Sequence, residues 1–182
     1  MAPFPQLKKV CRGQWPNWQD ALAKEIGGDT AKLQSYLPMY LKKNSAALKI
    51  PAFWIELADY EWSIQFVKDA DRAVLKSADS PPAAKGSLRV NPFVRILKLK
   101  YDIKGWIHGG ASGEPKEKHH LMVISKTARF EASFAFAAVI DELDDGPVER
   151  KKLEEILGAK HGARDWSAAI ATLINGGAVL AS

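Results

Sequence analysis

Apolar positions in the first half of the chain recur at three- and four-residue spacing. In part of the second half they recur at every other residue. That change separates a helical region from one that contains strands. The helical signal is strongest over residues 51–70, where Phe53, Leu57, Tyr60, Ile64 and Val67 form a stripe that Trp54 and Ala58 widen. Pro51 suits the first turn of this helix. Two shorter helices are predicted before it. One opens at Pro16 or Asn17 and runs through Ile26 to a stop at Gly27 and Gly28. The other is capped by Asp29, runs from Thr30 toward Leu37, and is broken or restarted at Pro38 before Asn44 and Ser45.

Ser80, Pro81, Pro82, Ala83, Ala84, Lys85 and Gly86 read as a linker. Beyond it, Leu97, Leu99, Tyr101 and Ile103 alternate with Lys98, Lys100, Asp102 and Lys104, the pattern of a strand with one wet face. Residues 109–113 form a glycine-rich loop, residues 119–125 a second strand, Lys126, Thr127 and Ala128 a turn, and residues 129–133 a short third strand. Helices return over residues 134–143 and from Pro147 to Leu157, with Leu153, Ile156 and Leu157 inward and Gly158 as the stop. A last helix is capped by Asp165 and places Trp166, Ile170, Leu173 and Ile174 on one face. Gly176 and Gly177 end it, and Ala178, Val179 and Leu180 add a short strand. The expected fold is α+β, with a helical domain over residues 1–86. A small domain over residues 87–182 combines a three-stranded sheet with three helices, in a winged-helix-like outline.

Composition adds limits. The chain has 182 residues, 47% apolar and 26% charged, enough to bury a proper core. No apolar run approaches the roughly 20 residues that span a bilayer. The first twelve residues show no apolar secretion segment. Cys11 is the single cysteine, so neither an internal disulfide nor a cysteine-based zinc site can form. A cytoplasmic protein is expected. The net charge is +5, and its placement matters more than its size. Lys85, Arg89, Arg95, Lys98, Lys100 and Lys104 face only Asp102 over residues 85–104, which leaves the rest of the chain balanced. Such a strip suits an acidic partner or a phosphate backbone, and equally a solvated strand face.

Candidate chemistry is sparse. His119 and His120 are adjacent on a strand and point to opposite faces, and neither they nor His108 and His161 have metal-helix spacing. Asp141, Glu142, Asp144 and Asp145 read as a solvated helix end. Residues 109–113 lack the lysine and hydroxyl of a phosphate loop, and Ser125 and Ser133 lack a nucleophile's context. Glu61 falls on the long helix's apolar stripe, where an unpaired charge is costly, so an arginine such as Arg72 or Arg89 is expected beside it. No catalytic, cofactor-binding or metal-ligating residue is expected in this chain.

A binding role remains, in one of two modes. For DNA, the helix over residues 165–175 holds no lysine or arginine. Only Asn175 could read a base, and the preceding turn over residues 158–164 exceeds the three or four residues usual for helix-turn-helix. For strand addition, an open sheet edge supplies backbone groups to an extended peptide. Leu121, Met122, Val123, Ile124, Arg129, Phe130 and Glu131 are the expected peptide contacts, and a proline at Phe130 is expected to weaken docking. Trp62, Phe66, Lys98 and Lys100 are the expected protein-partner contacts.

Ile55, Glu56, Leu57, Ala58, Asp59, Tyr60, Glu61 and Trp62 resemble the "LARLEW"-type helix of proteins that accompany multinuclear non-haem iron oxidative enzymes. Ala70 and Asp71 follow, and Leu88, Arg89, Val90, Asn91, Pro92, Phe93, Val94, Arg95, Ile96 and Leu97 look like that family's "LRLHPSLRLL" segment. Trp106 falls at the family's tryptophan. Leu121, Met122, Val123, Ile124 and Ser125 resemble its "LLVVR" strand, with Ser125 in place of the arginine, and residues 168–180 resemble its closing helix and "GAF"-like end. The resemblance covers residues 50–182. Longer members carry a Tyr-Arg-x-Asn motif far ahead of the Glu-Trp helix. Here Tyr40 to Asn44 lie close to it without the arginine, and the short first half looks more like the MbnC-like methanobactin biosynthesis proteins.

The resemblance implies an accessory subunit without a catalytic site of its own. Its partners are an MbnB-like iron oxygenase, which holds the iron and forms a heterodimer with it, and an MbnA-like ribosomally made precursor peptide. Together the two proteins convert precursor cysteines into oxazolone-thioamide groups, and the accessory subunit's C-terminal half recognises the leader by strand addition. The open alternatives are a related iron oxygenase acting on another cysteine-rich peptide, and a winged-helix DNA-binding regulator.

Overall fold

The computed structural model describes residues 4–11, 13, 15–27, 30–74 and 86–181, and its architecture is α+β. The expected cap Asp29, the stop at Gly28 and the linker up to Lys85 lie outside the described residues. The chain forms two compact units interleaved along the sequence: residues 1–65 with 98–120, and residues 66–97 with 121–182.

The first unit holds α1 (Pro5–Val10), α2 (Trp15–Glu25), α3 (Thr30–Asn44), most of α4 (Ala52–Val74) and α5 (Ile103–His108). Its core contains Leu7, Leu22, Leu37, Leu41, Leu57 and Ile103, all fully buried. Phe53 joins α4 to the rest of this unit, with its ring centroid 5.8 Å from Trp106 and 6.1 Å from Tyr101. The predicted break at Pro38 does not occur, because α3 runs through it. A proline inside a helix costs about 3 kcal/mol. Burial of Leu37 and Leu41 on either side returns about 1.5–3 kcal/mol each, which is enough to hold the helix together.

Helix α5 was not anticipated. Asp102 looked like one polar step of an alternating strand, but its carboxylate accepts the Gly105 N–H at 3.0 Å and starts a helix. A Cβ on Gly105 would stand 2.3 Å from that carboxylate, so a larger residue there would push the capping side chain aside. Trp106 Nε1 then donates to the carbonyls of Ser112 and Gly113 and ties down the following loop.

Glu61 is buried, as its place on the stripe implied; of its two expected partners, the side chain of Arg72 lies outside the described residues. Its carboxylate accepts the backbone N–H groups of Gln6 at 2.8 Å and Leu7 at 3.0 Å. The first turn of a helix has N–H groups with no partner inside the helix and carries positive partial charge. A carboxylate from α4 therefore caps α1.

The second unit contains two sheet pieces around one core. In the first sheet the order is β5-β1-β6, with β1 (Ser87–Val90) antiparallel to both β5 (Val148–Glu149) and β6 (Val179–Ala181). The second sheet has the order β2-β3-β4, from β2 (Arg95–Tyr101), β3 (Glu117–Ile124) and β4 (Arg129–Ala132). Both β2 and β3 run from one unit into the other. Helices α6 (Phe134–Asp144), α7 (Arg150–His161) and α8 (Trp166–Asn175) follow the three strands of the second sheet, but β1 stands ahead of them and β5 separates α6 from α7, so the expected order of three strands and then three helices holds only in part. Leu88, Val123, Val139, Leu143, Leu153, Leu157, Trp166, Ile170, Leu173 and Val179 make the core.

Three local expectations are corrected here. Strand β1 escaped notice because it has four residues and pairs with a two-residue strand and the chain's end. Pro147 does not open α7. It leads into β5, and the helix begins at Arg150. Gly158 does not stop α7, which continues to His161 and is closed by Gly162 at φ 80°. The burial of Leu157 on the adjacent turn outweighs the cost of about 1 kcal/mol for a glycine inside a helix. The turn between α7 and α8 therefore spans only residues 162–165, so its length no longer argues against a helix-turn-helix.

Candidate functional site

Strand β4 is the terminal strand of its sheet, and its register fixes what it presents. Leu121 pairs with Ala132, Met122 with Glu131, Val123 with Phe130 and Ile124 with Arg129. At the turn, Ser125 N–H donates to the Ala128 carbonyl at 2.9 Å. Hydrogen-bonded pairs alternate along an antiparallel ladder. Phe130 and Ala132 therefore exchange bonds with β3, and the backbone groups of Arg129 and Glu131 face away from it. This corrects the expectation for Phe130, whose N–H belongs to the ladder and not to the outer edge.

Side chains on β4 divide the same way. Phe130 and Ala132 pack against the second unit's core, and Arg129 and Glu131 are exposed. The Phe130 ring lies edge-on to Phe136 of α6 at 5.6 Å. Its other neighbour is the end of α8, where a Cβ on Gly176 would stand 3.0 Å from the ring. The hairpin is held by Ser125, which is buried. Its hydroxyl donates to the Gly176 carbonyl and contacts the Ala128 carbonyl at 3.2 Å, and it accepts the Ala128 N–H at 3.0 Å. Thr127 Oγ1 donates to the same Gly176 carbonyl at 3.1 Å. Asn91 secures the next residues, with Nδ2 donating to the Gly177 carbonyl and its own N–H to that of Ala178.

The expected peptide contacts do not all share a face. Met122, Val123 and Ile124 are buried on the central strand, but their side chains alternate, so Val123 lies in the core beside Phe130 and Met122 and Ile124 take the other face. Leu121 and Phe130 are half-buried, and Arg129 and Glu131 lie on the edge itself. Gly176, Ser125 and Asn91 were not singled out as supports. Gly176 looked like an ordinary helix stop, and only the Phe130 ring beside it reveals its role.

The expected partner contacts are spread along two elements. Trp62 and Phe66 are half-buried on α4, and the Arg95 guanidinium lies 5.3 Å from the Phe66 ring centroid. Lys98 and Lys100 are exposed on β2. At the end of β2, the Glu56 carboxylate accepts the N–H groups of Lys100 and Tyr101 at 3.0–3.1 Å. That end of the sheet's other edge strand is thus already engaged by a side chain.

Other chemistry is thin among the described residues. No group of three His, Cys, Asp or Glu side chains could hold a metal ion there. Beside α5 a cavity of about 340 Å³ is lined by Asp102, Trp106, Glu114 and Lys116, but Asp102 is committed to capping the helix. Cys11 is buried, its thiol donates to the Leu7 carbonyl, and burial pushes its pKa to about 11. On α8 the exposed residues are Ser167, Ala168, Thr172 and Asn175, with no cation to read a base. No family model and no curated protein matches the sequence.

Proposed function

We propose that this chain is a non-catalytic accessory subunit that binds the leader of a ribosomally made precursor peptide. It presents the peptide's cysteines to an MbnB-like iron oxygenase that forms oxazolone-thioamide groups. The observation that carries the reading is β4, a terminal strand with Phe130 and Ala132 set in the core and the backbone of Arg129 and Glu131 turned outward. An extended peptide adds to such an edge through main-chain bonds. The resemblance of residues 50–182 to partners of iron oxidative enzymes supports the choice of enzyme. The iron belongs to that enzyme. Trp62, Phe66 and the exposed Lys98 and Lys100 are the surfaces assigned to it. The cytoplasm is the proposed location, in keeping with a single buried cysteine. No helix among the described residues is long and apolar enough to cross a membrane.

The test is co-expression with an MbnB-like iron oxygenase and purification through a tag on this chain alone, followed by precursor peptide and oxygen. Co-purification of an iron-loaded enzyme, and a peptide mass change that requires this chain, are the expected results. An enzyme that works without the chain overturns the proposal. Modification of a cysteine-rich peptide of another class moves the reading to a related oxygenase. A salt-sensitive shift of duplex DNA by the chain alone moves it to a regulator, for which the four-residue turn before α8 is the favourable feature.

A further inference from the structure

The corner where β4 ends carries its own chemistry. Ser133 follows β4 and caps α6 by accepting the Phe136 N–H, which sets Phe134 just past the strand. Phe134 is 57% exposed, a large apolar surface to leave in water. The Arg164 guanidinium lies 4.8 Å from its ring centroid. His161 meets the same ring edge-on at 5.6 Å and contacts Trp166 at 6.0 Å, and Trp166 is anchored by Nε1 donating to the Gly162 carbonyl. Arg164 is exposed, and among the described residues no carboxylate lies within ion-pair distance of it. The adjacent Asp165 instead uses Oδ1 to accept the Ala168 N–H and cap α8.

We propose that Phe134, His161 and Arg164 form a selectivity corner that takes an acidic side chain of the extended segment docked on β4. This rests on the reading of β4 as the docking strand. A guanidinium stacked on a ring keeps its N–H edge free and pre-oriented for a carboxylate. The aromatic faces cover the aliphatic part of an aspartate or glutamate. The start of α6 carries positive partial charge and favours the same sign. At about 3.3 Å per residue, a segment paired along β4 reaches Phe134 within two residues of the strand's end.

The probe is a set of fluorescein-labelled, 12-residue peptides of alternating valine and threonine, with aspartate, glutamate, glutamine or lysine placed at each central position in turn. Binding to the full chain is read by anisotropy. At one position an acid is expected to bind about tenfold tighter than lysine. Arg164→Glu reverses that preference, and the milder Arg164→Gln abolishes it. Glu131→Pro weakens every peptide alike. Equal affinity for acid and lysine at every position, with Glu131→Pro still weakening all, overturns the corner and leaves strand docking in place. No binding by any peptide overturns both.

Discussion

Burial raises the Glu61 carboxyl above the ordinary glutamate range by more than the N–H groups of Gln6 and Leu7 and the charge of Lys8 lower it. A carboxyl raised in the folded state contributes stability that is complete below its unfolded value of about 4.3 and lost as pH rises through the folded value. Wild type should therefore lose stability relative to Glu61→Gln as pH rises from about 4.3 toward neutrality. Urea unfolding of both proteins across that range checks it, and a constant difference contradicts it. For Cys11, burial and a thiol pKa near 11 imply slow reaction with a thiol reagent at neutral pH, faster once the chain unfolds. Labelling kinetics that do not follow denaturant would count against the buried placement. Gly176→Ala should cost about 1–3 kcal/mol, because its methyl meets the Phe130 ring at 3.0 Å and the Thr172 carbonyl at 3.2 Å. None of these neighbours is close in sequence except Thr172. The sequence therefore marked Glu61 as buried but gave no sign of its backbone partners Gln6 and Leu7, and it passed over Gly176.

At the scale of the element, periodicity was informative where a face is buried over several turns. The stripe on α4 and the apolar faces of α7 and α8 follow their spacing, and the Asp165 cap forms as expected. Among short elements, β4 and β6 were legible and others were not. A six-residue helix such as α5 rests on one cap, and β1 and β5 gain their pairing from residues far along the chain. Edge geometry was partly legible: an alternating strand could be predicted, but which backbone groups face outward depends on the register at the Ser125 turn. That register separates two proline variants. Glu131→Pro removes an outward N–H and should weaken precursor binding about three- to tenfold while the chain stays folded. Phe130→Pro removes a ladder bond to Val123 and should lower the melting temperature. Anisotropy with the precursor, paired with thermal melts, distinguishes them. Equal effects of the two on binding, at equal stability, contradict the register argument.

For the whole molecule, the proposed function places the basic strip at the interface with the oxygenase. Lys98 and Lys100 are exposed, within the strip that carries the chain's excess positive charge. Replacing both with glutamate should slow association with the oxygenase and flatten its salt dependence, with little change in dissociation, as measured by stopped flow or surface binding. An unchanged association rate would remove these lysines from the interface. The central claim, that β4 receives the precursor's leader as an added strand, is tested most directly by amide hydrogen exchange of the full chain with and without the precursor. The account predicts at least about tenfold slower exchange at Arg129 and Glu131 when the peptide is bound, with the ladder amide of Phe130 changing less. Binding that leaves the exchange of β4 unchanged would contradict it.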